Sequence, residues 1–113
     1  MSLFLNKLYS IEEKEKDIIK VKLNPEHEIF IGHFPDNPIL PGVCVVQMIK
    51  EIIQQSVISK IGYIRYFQPI NPNIKQYLVF SFEREKNKIK IFDDEFKILI
   101  EISKIYYGNE KDE

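Results

Sequence analysis

A single histidine stands in the most proline-rich stretch of the sequence, GHFPDNPILPG at residues 32–42. The stretch holds three of the chain's six prolines, and His33 is one of only two histidines. Because an unperturbed imidazole titrates near neutral pH, His33 can act as a general base without a strongly shifted pKa. Proline fixes the backbone φ angle and helps to hold a reacting group in place, which favours a catalytic His33. In the alternative interpretation, His33 caps a turn and the prolines only end a strand.

Gly42 ends this stretch at the point where a long apolar run begins. The first backbone N–H groups of a helix have no partner inside the helix, and the helix dipole favours negative charge beside them. Glycine also lets a ligand come close to the backbone. The position therefore indicates a donor for a negatively charged oxygen, although a plain turn glycine would look the same.

Other groups near this loop carry weaker indications of chemistry. Cys44 falls in the first helical turn, where a thiol pKa can be lowered, but a small buried apolar side chain is the favoured interpretation. His27, Glu28 and Asp36 are close to His33 in sequence, yet their spacing fits no zinc pattern. We therefore predict no metal site and no cofactor.

The run from Val43 to Ser59 contains no glycine or proline and is too long for an ordinary strand. Its polar residues recur at helical spacing and so share one side of a helix. These residues are Gln47, Lys50, Glu51, Gln54 and Gln55. The pattern predicts a long helix over 43–59 that begins just after Pro41 and Gly42 and is buried over most of its circumference.

Alternation of apolar and polar residues predicts strands on both sides of this helix. Before the loop, DIIKVKL at 17–23 has this pattern; in the last segment after the helix, Phe96 begins an alternating row with Ile98. The segments after the helix are 61–70, 76–82, 88–92 and 95–107. Short polar connections between them are typical of hairpins. One buried helix with an antiparallel meander is an α+β plan, whose uncovered edge or face would favour a dimer.

Length and composition narrow the classes of function. A chain of 113 residues predicts one domain, 1–113, and a net charge of −1 gives no reason to expect nucleic acid as a partner. No apolar run is long enough to span a membrane, and the N-terminus does not have the pattern of a signal peptide. One cysteine excludes an internal disulfide, so we expect a reducing compartment, the cytoplasm.

Residues 27–49, HEIFIGHFPDNPILPGVCVVQMI, resemble the signature of the hotdog-fold 3-hydroxyacyl-acyl-carrier-protein dehydratases of fatty-acid synthesis. The matching positions are Phe30, Gly32, His33, Phe34, Pro35, Pro38, Pro41, Gly42 and Val43. The segment YIRYFQPINPN, residues 63–73, is similar to the strand that follows the helix in that family. The order of predicted elements agrees over nearly all of the chain.

The resemblance implies a hotdog fold, in which a curved antiparallel sheet wraps a long central helix. It also implies that two protomers pair into a dimer with one continuous sheet. A homodimer and a higher oligomer both fit the resemblance. Substrate tunnels then lie at the dimer interface, and the substrate is a 3-hydroxyacyl group on acyl carrier protein. We expect Tyr63, Tyr66 and Phe67 in the core, with some of them lining the tunnel. We expect a basic patch that binds the acidic carrier protein. Its candidate residues are Lys50, Arg65 and Lys75.

Dehydration of a 3-hydroxyacyl thioester needs a base at C2, an acid for the departing hydroxyl and a donor for the enolate-like oxygen. The resemblance gives the first role to His33 and the third to the backbone N–H of Gly42. Phe34, Pro41, Val43 and Glu51 are the residues expected to contact the substrate.

The chain departs from the family pattern at the acid. The family's carboxylate lies fourteen residues after the histidine and comes from the other protomer, and that position here is Gln47. A carboxamide cannot release a proton near neutral pH, although it can hydrogen-bond the substrate hydroxyl or a water. Gln47 can equally be a solvated residue of the helix. Glu51, one turn later on the same face, is a possible substitute, or it pairs with a lysine or faces water.

Three functions follow as alternatives. The first is a 3-hydroxyacyl-acyl-carrier-protein dehydratase with weak or unusual catalysis. The second is a non-catalytic partner subunit, or an acyl-carrier-binding protein, that forms a heterodimer with a related dehydratase and lends it His33. The third is a hotdog acyl thioesterase, ranked last because the motif is of the dehydratase type.

Overall fold

Six antiparallel strands and one α-helix form the part of the chain described by the computed structural model, residues 3–31, 37–53 and 57–108. The elements are β1 (Tyr9–Glu15), β2 (Ile18–Leu23), α1 (Gly42–Ile53), β3 (Val57–Tyr66), β4 (Tyr77–Glu83), β5 (Lys88–Phe92) and β6 (Ile98–Gly108). Short 3-10 turns lie at Glu28–Phe30 and Arg84–Lys86. The strands form one sheet in the order β1-β2-β4-β5-β6-β3. This is the predicted α+β hotdog architecture, in which β1 and β3 are the edges.

Helix α1 buries one face in the core that it shares with the sheet. The residues of this face are Cys44, Val45, Met48, Ile49 and Ile52, at the spacing of a helical stripe. They pack in one cluster with strand residues such as Val21, Phe80 and Ile100, all fully buried. On the other side of the helix Val43 and Lys50 are exposed and Gln47 is half-buried. The helix is therefore covered by the sheet on one side and open on the other.

The C-terminal end of the predicted helix is wrong. The described helix ends at Ile53, and residues 57–59 already belong to β3. Gln54 and Gln55 lie outside the described residues. The run has no glycine or proline to mark the change, and its Val and Ile residues suit a strand as well as a helix face. Periodicity alone therefore predicted a helix that extends beyond the observed one.

The strand predictions also miss β1 and misplace Phe96. β1 was not predicted, because the four residues Glu12–Glu15 are all charged and exposed and hide the alternation. Phe96 was placed on a buried row, whereas it lies in the β5–β6 turn with a φ angle of 63° and 77% of its surface exposed. The alternating pattern of β2 is confirmed, with Ile19, Val21 and Leu23 buried.

Strand β3 is an edge that carries large exposed side chains. Tyr63, Ile64, Tyr66 and Phe67 are between 40% and 59% exposed, so the prediction that the three aromatic residues lie in the core is wrong for the single chain. β3 pairs with β6 on one side, and an edge strand offers unpaired backbone groups on the other.

Of the helices in residues 3–31, 37–53 and 57–108, none is both long and apolar enough to cross a membrane.

Candidate functional site

Helix α1 and the residue before it hold most of the residues that the sequence singled out. Pro41, Gly42, Val43, Gln47 and Glu51 all lie in or immediately before the helix. His33 and Phe34, together with the rest of 32–36, lie outside the described residues.

The chain is anchored on both sides of residues 32–36. Phe30 on one side and Leu40 on the other are buried, at 3% and 2% exposure. The backbone N–H of Leu40 donates to the carbonyl of Ile70 at 2.8 Å, which fixes the chain just before α1. On the other flank, Nδ1 of His27 accepts a hydrogen bond from the N–H of Ile29 at 3.0 Å and caps the 3-10 turn. His27 therefore has a local structural role.

Gly42 is the first residue of α1 and stands against a tyrosine. The N–H groups of Cys44 and Val45 both donate to the carbonyl of Pro41, at 3.0 and 3.3 Å, and so begin the helix. A Cβ atom at Gly42 would lie only 2.0 Å from the hydroxyl oxygen of Tyr66 and 3.0 Å from its Cζ. A side chain at position 42 would therefore displace the phenol, and glycine is the residue that allows this contact.

Gln47 is held by a hydrogen bond to Glu51, one turn further along α1. Its Nε2 donates to Oε2 of Glu51 at 3.0 Å. Because an ionised carboxylate can only accept, the amide nitrogen must face Glu51, and the carbonyl oxygen of the carboxamide is turned away from it. The oxygen of Gln47 is thus the atom available to accept a hydrogen bond from a ligand.

Glu51 is a buried carboxylate that fastens the N-terminal segment to α1. Its side chain is 6% exposed. It accepts hydrogen bonds from the backbone N–H groups of Leu3, Phe4 and Leu5 at 2.9, 3.0 and 2.9 Å, and from the Tyr9 hydroxyl at 3.0 Å. The predicted pairing of Glu51 with lysine or water is therefore wrong. Its contact with substrate stays a prediction.

Hydrogen bonding decides the charge state of Glu51. Burial alone would raise its pKa, but the hydrogen bonds from Gln47, the Phe4 and Leu3 amides and Tyr9 outweigh it and hold the pKa below its ordinary value. Burial is the main reason why the pKa of Tyr9 lies far above its usual range, and the hydrogen bond to Glu51 raises this pKa further. Glu51 is therefore ionised, and Tyr9 protonated, at neutral pH.

We expect Glu51→Gln to lower the free energy of unfolding by about 2–4 kcal/mol at neutral pH, since an amide replaces an acceptor of several hydrogen bonds. The pKa of Glu51 is depressed in the folded state, so this stabilisation is full above the unfolded pKa of about 4.3 and fades as the pH falls below it. Urea unfolding at neutral and acidic pH measures the difference.

The exposed Glu12→Gln is the matched control for that experiment. It changes the same charge where the chain is open to solvent, so its effect should stay within about 0.5 kcal/mol at either pH. A Glu51 variant as stable as this control, or a stability gap that does not narrow in acid, would contradict the role assigned to Glu51.

A cavity of about 310 Å³ opens on the side of α1 that carries Gln47. Apolar side chains of the N-terminal segment and the helix form most of its wall, and Lys50 and Gln47 supply the polar groups. The lining residues are Leu3, Phe4, Ile29, Val43, Cys44, Val46, Gln47 and Lys50. Two other cavities, of about 390 and 610 Å³, are lined mainly by polar and charged residues that do not belong to α1. The cavity beside Gln47 is the one suited to an apolar ligand.

Cys44 is buried, and two of the three possible metal ligands, His27 and Glu28, lie among the described residues. Burial raises the pKa of the Cys44 thiol, so the lowered pKa considered from its place in the helix is wrong. Within the ranges that the structure describes, no group of three or more His, Cys, Asp and Glu side chains is placed to hold a metal ion. Asp36 lies outside those ranges.

Comparison with known families decides to which family the chain belongs. The model of the ApeI-like family, described as ApeI dehydratase, matches residues 10–100. The chain belongs to the ApeI-like dehydratase family. The resemblance to the dehydratase family with the hotdog fold is thereby confirmed.

Curated relatives of this ApeI-like chain are named 3-hydroxyacyl-[acyl-carrier-protein] dehydratase FabZ. One from Clostridium botulinum strain Okra is 27% identical over 106 residues, which cover 91% of this chain and 66% of the relative. One from Thermoanaerobacter sp. strain X514 is 33% identical over 57 residues, which cover 50% of this chain and 40% of the relative. The ApeI-like chain thus spans about two thirds of the length of these relatives, or less.

Solved structures show the same fold. The dehydratase heterocomplex ApeI:P from Xenorhabdus doucetiae superposes with a TM-score of 0.63 at 20% identity, covering 88% of this chain and 94% of that chain. An uncharacterized protein from Erwinia carotovora subsp. atroseptica gives a TM-score of 0.55 at 22% identity, with 90% and 92% covered. At sequence identities of 20% and 22%, this structural similarity establishes the fold alone, which is the hotdog fold.

Two features of the site were missed by the sequence analysis of this ApeI-like chain. One is the burial of Glu51 under the N-terminal segment, for which its apolar neighbours Met48, Ile49 and Ile52 are a signal. The other is the contact of Tyr66 with Gly42, which has no signal in the sequence.

Proposed function

We propose that this chain is a 3-hydroxyacyl-acyl-carrier-protein dehydratase, which removes water from a 3-hydroxyacyl thioester to give the trans-2-enoyl thioester. The observation that carries the proposal is the position of Gly42 as the first residue of α1, with Gln47 beside an apolar cavity five residues later. This is where the dehydratase motif requires an oxyanion donor and the acid position. Membership of the ApeI-like family supports the same reaction class.

His33 is proposed as the base that takes the proton from C2. As that proton leaves, negative charge builds on the thioester oxygen, and the amide at Gly42 is the proposed donor that stabilises it. The C3–O bond then breaks, the C2–C3 double bond forms, and the hydroxyl leaves as water once it has gained a proton. Gln47 cannot supply this proton. It must therefore come back from the His33 imidazolium or from solvent.

The absence of an acid at position 47 sets the expected rate. Loss of a general acid costs about 10²–10⁴ in rate, or roughly 3–5 kcal/mol of barrier. The carboxamide oxygen of Gln47 keeps the ability to accept a hydrogen bond from the substrate's 3-hydroxyl. We therefore propose slow dehydration, with substrate binding retained.

We propose a dimer in which β3 of one protomer meets β3 of the other. The exposed edge and its apolar side chains, Tyr63, Ile64 and Tyr66, support this, as does Val43, which is 77% exposed beside the cavity. In such a dimer each site combines His33 and Gly42 of one protomer with position 47 of the other. A higher oligomer built from these dimers is compatible with the same edge.

The carrier protein is the proposed source of the substrate, as the names of the curated relatives suggest. Lys50 is exposed at the cavity and is available to an acidic partner. Lys75 is less available to an acidic partner than Lys50, because its Nζ forms an ion pair with Asp93 at 2.7 Å. The cytoplasmic location stays a prediction.

The second candidate function is that of a partner subunit. It is favoured by Gln47, because a chain without the acid can still lend His33 and Gly42 to a related chain that has one. The dehydratase heterocomplex from Xenorhabdus, to which the fold is similar, is an assembly of unlike chains. If no related chain ever co-purifies with this protein after co-expression, this candidate should be dropped.

An assay of the purified protein with 3-hydroxyacyl-acyl-carrier-protein tests the proposed reaction. We expect slow formation of the enoyl thioester, identified by mass spectrometry, and its loss in His33→Ala. Free 3-hydroxy acid and free carrier thiol would instead indicate the thioesterase. Enoyl formation no faster than that of His33→Ala at high protein concentration would reject a catalytic homodimer.

A further inference from the structure

The hydroxyl of Tyr66 stands at the head of α1, on a chain that lacks the acid at position 47. Tyr66 is the last residue of β3 and is paired with Ile100 of β6, so the sheet fixes its backbone. Its ring reaches across to the helix, and the space that a side chain of Gly42 would fill is taken by the phenol oxygen. Tyr66 is 45% exposed in the single chain.

The hydroxyl keeps its proton at neutral pH. Burial, and to a smaller extent the charge of the nearby Cys44 thiolate form, raise the pKa of Tyr66 above its ordinary value. A neutral phenol donates one hydrogen bond, and the backbone N–H of Gly42, the first residue of α1, has no acceptor within the helix. Preorganised donors of this kind stabilise negative charge in a transition state because they need no reorganisation during the reaction.

We propose that the Tyr66 hydroxyl donates a hydrogen bond to the thioester carbonyl oxygen and acts there together with the Gly42 amide. This inference rests on the proposed dehydratase function. As His33 removes the C2 proton, electron density moves onto the thioester oxygen. The two donors stabilise that oxygen, and Tyr66 keeps its own proton throughout. The proton required by the leaving hydroxyl does not come from Tyr66.

Tyr66→Phe removes the oxygen and leaves the ring, so the fold is expected to stay intact. The loss of one oxyanion donor typically lowers kcat by about 10²–10³-fold, and we expect a fall of about 10²-fold with little change in KM. The matched control is Tyr106→Phe on β6, where Tyr106 is 47% exposed, close to the 45% of Tyr66, and Lys60 Nζ lies 6.0 Å from its ring centre. Both variants are made in the wild-type chain and in Gln47→Glu.

Infrared difference spectroscopy of the bound 3-hydroxyacyl thioester gives a second readout that needs no turnover. We expect the carbonyl band to lie at lower frequency on the wild-type protein than in water, and this shift to shrink in Tyr66→Phe but not in Tyr106→Phe. An equal shift in Tyr66→Phe, or an unchanged kcat, overturns the role of Tyr66 and leaves the dehydratase proposal intact. A thioester that does not bind the wild-type protein overturns both.

Discussion

Gln47→Glu is expected to raise the rate of dehydration by about 10²–10⁴-fold, because it adds a general acid to the site proposed for His33 and Gly42. The side chain is nearly the same size, and it faces the same cavity as Gln47. This is the largest gain that a single substitution in the chain should produce.

The neighbouring Glu51 should tune the pKa of the new carboxyl. The Gln47 amide nitrogen lies 3.0 Å from Oε2 of Glu51, so the variant brings two carboxyl groups together, and such a pair shares a proton. Glu51 also accepts from the Leu3, Phe4 and Leu5 amides, which favour its ionised form. The proton should therefore reside on the introduced side chain, with a pKa above the usual 4.3 or so of a glutamate.

The pH dependence of kcat separates this account from a simple structural effect. We expect the Gln47→Glu enzyme to stay active to higher pH than an ordinary carboxylic acid would allow, and this limit to move to lower pH when Glu51→Gln is added. Gln47→Met is the control, since it keeps the length of the side chain and offers no acid. A Gln47→Glu variant no faster than Gln47→Met near neutral pH would contradict the proposal.

Much of the fold could be predicted because its local patterns agree with its packing. The alternation in β2 and the break at Pro41–Gly42 each follow from the residues themselves, and the structure confirms both. The end of α1 could not be predicted, since Val and Ile fit a helix face and a strand equally well. β1 was not predicted, because an edge strand needs no apolar face over its exposed half and Glu12–Glu15 are exposed.

The candidate site was predictable where a motif marks it and not where distant segments meet. Gly42 was singled out from its place in the motif and does begin the helix. The burial of Glu51 depends on Leu3, Phe4 and Leu5, which lie 46 to 48 residues away in sequence. Tyr66 was expected in the core because it is aromatic, yet it sits half exposed on an edge strand. Such long-range contacts leave no periodic signal in the sequence.

Two proteins that are each expected to be nearly inactive should become active when they are mixed. The wild-type chain has His33 but no acid at position 47. The double variant His33→Ala, Gln47→Glu has the acid but no base. If each site draws on two protomers, a mixed dimer contains one complete site and one site that lacks both groups.

The measurement is the rate of enoyl thioester formation after the two chains have been unfolded together, refolded and shown by native mass spectrometry to form mixed dimers. Equal amounts should give half mixed dimers, each with one complete site, and so about a quarter of the rate of the Gln47→Glu homodimer. Wild type mixed with His33→Ala alone is the control and should be no faster than wild type. If the mixture is no faster than its components while Gln47→Glu is active, His33 and position 47 do not meet across a dimer interface, and the two-chain site is wrong.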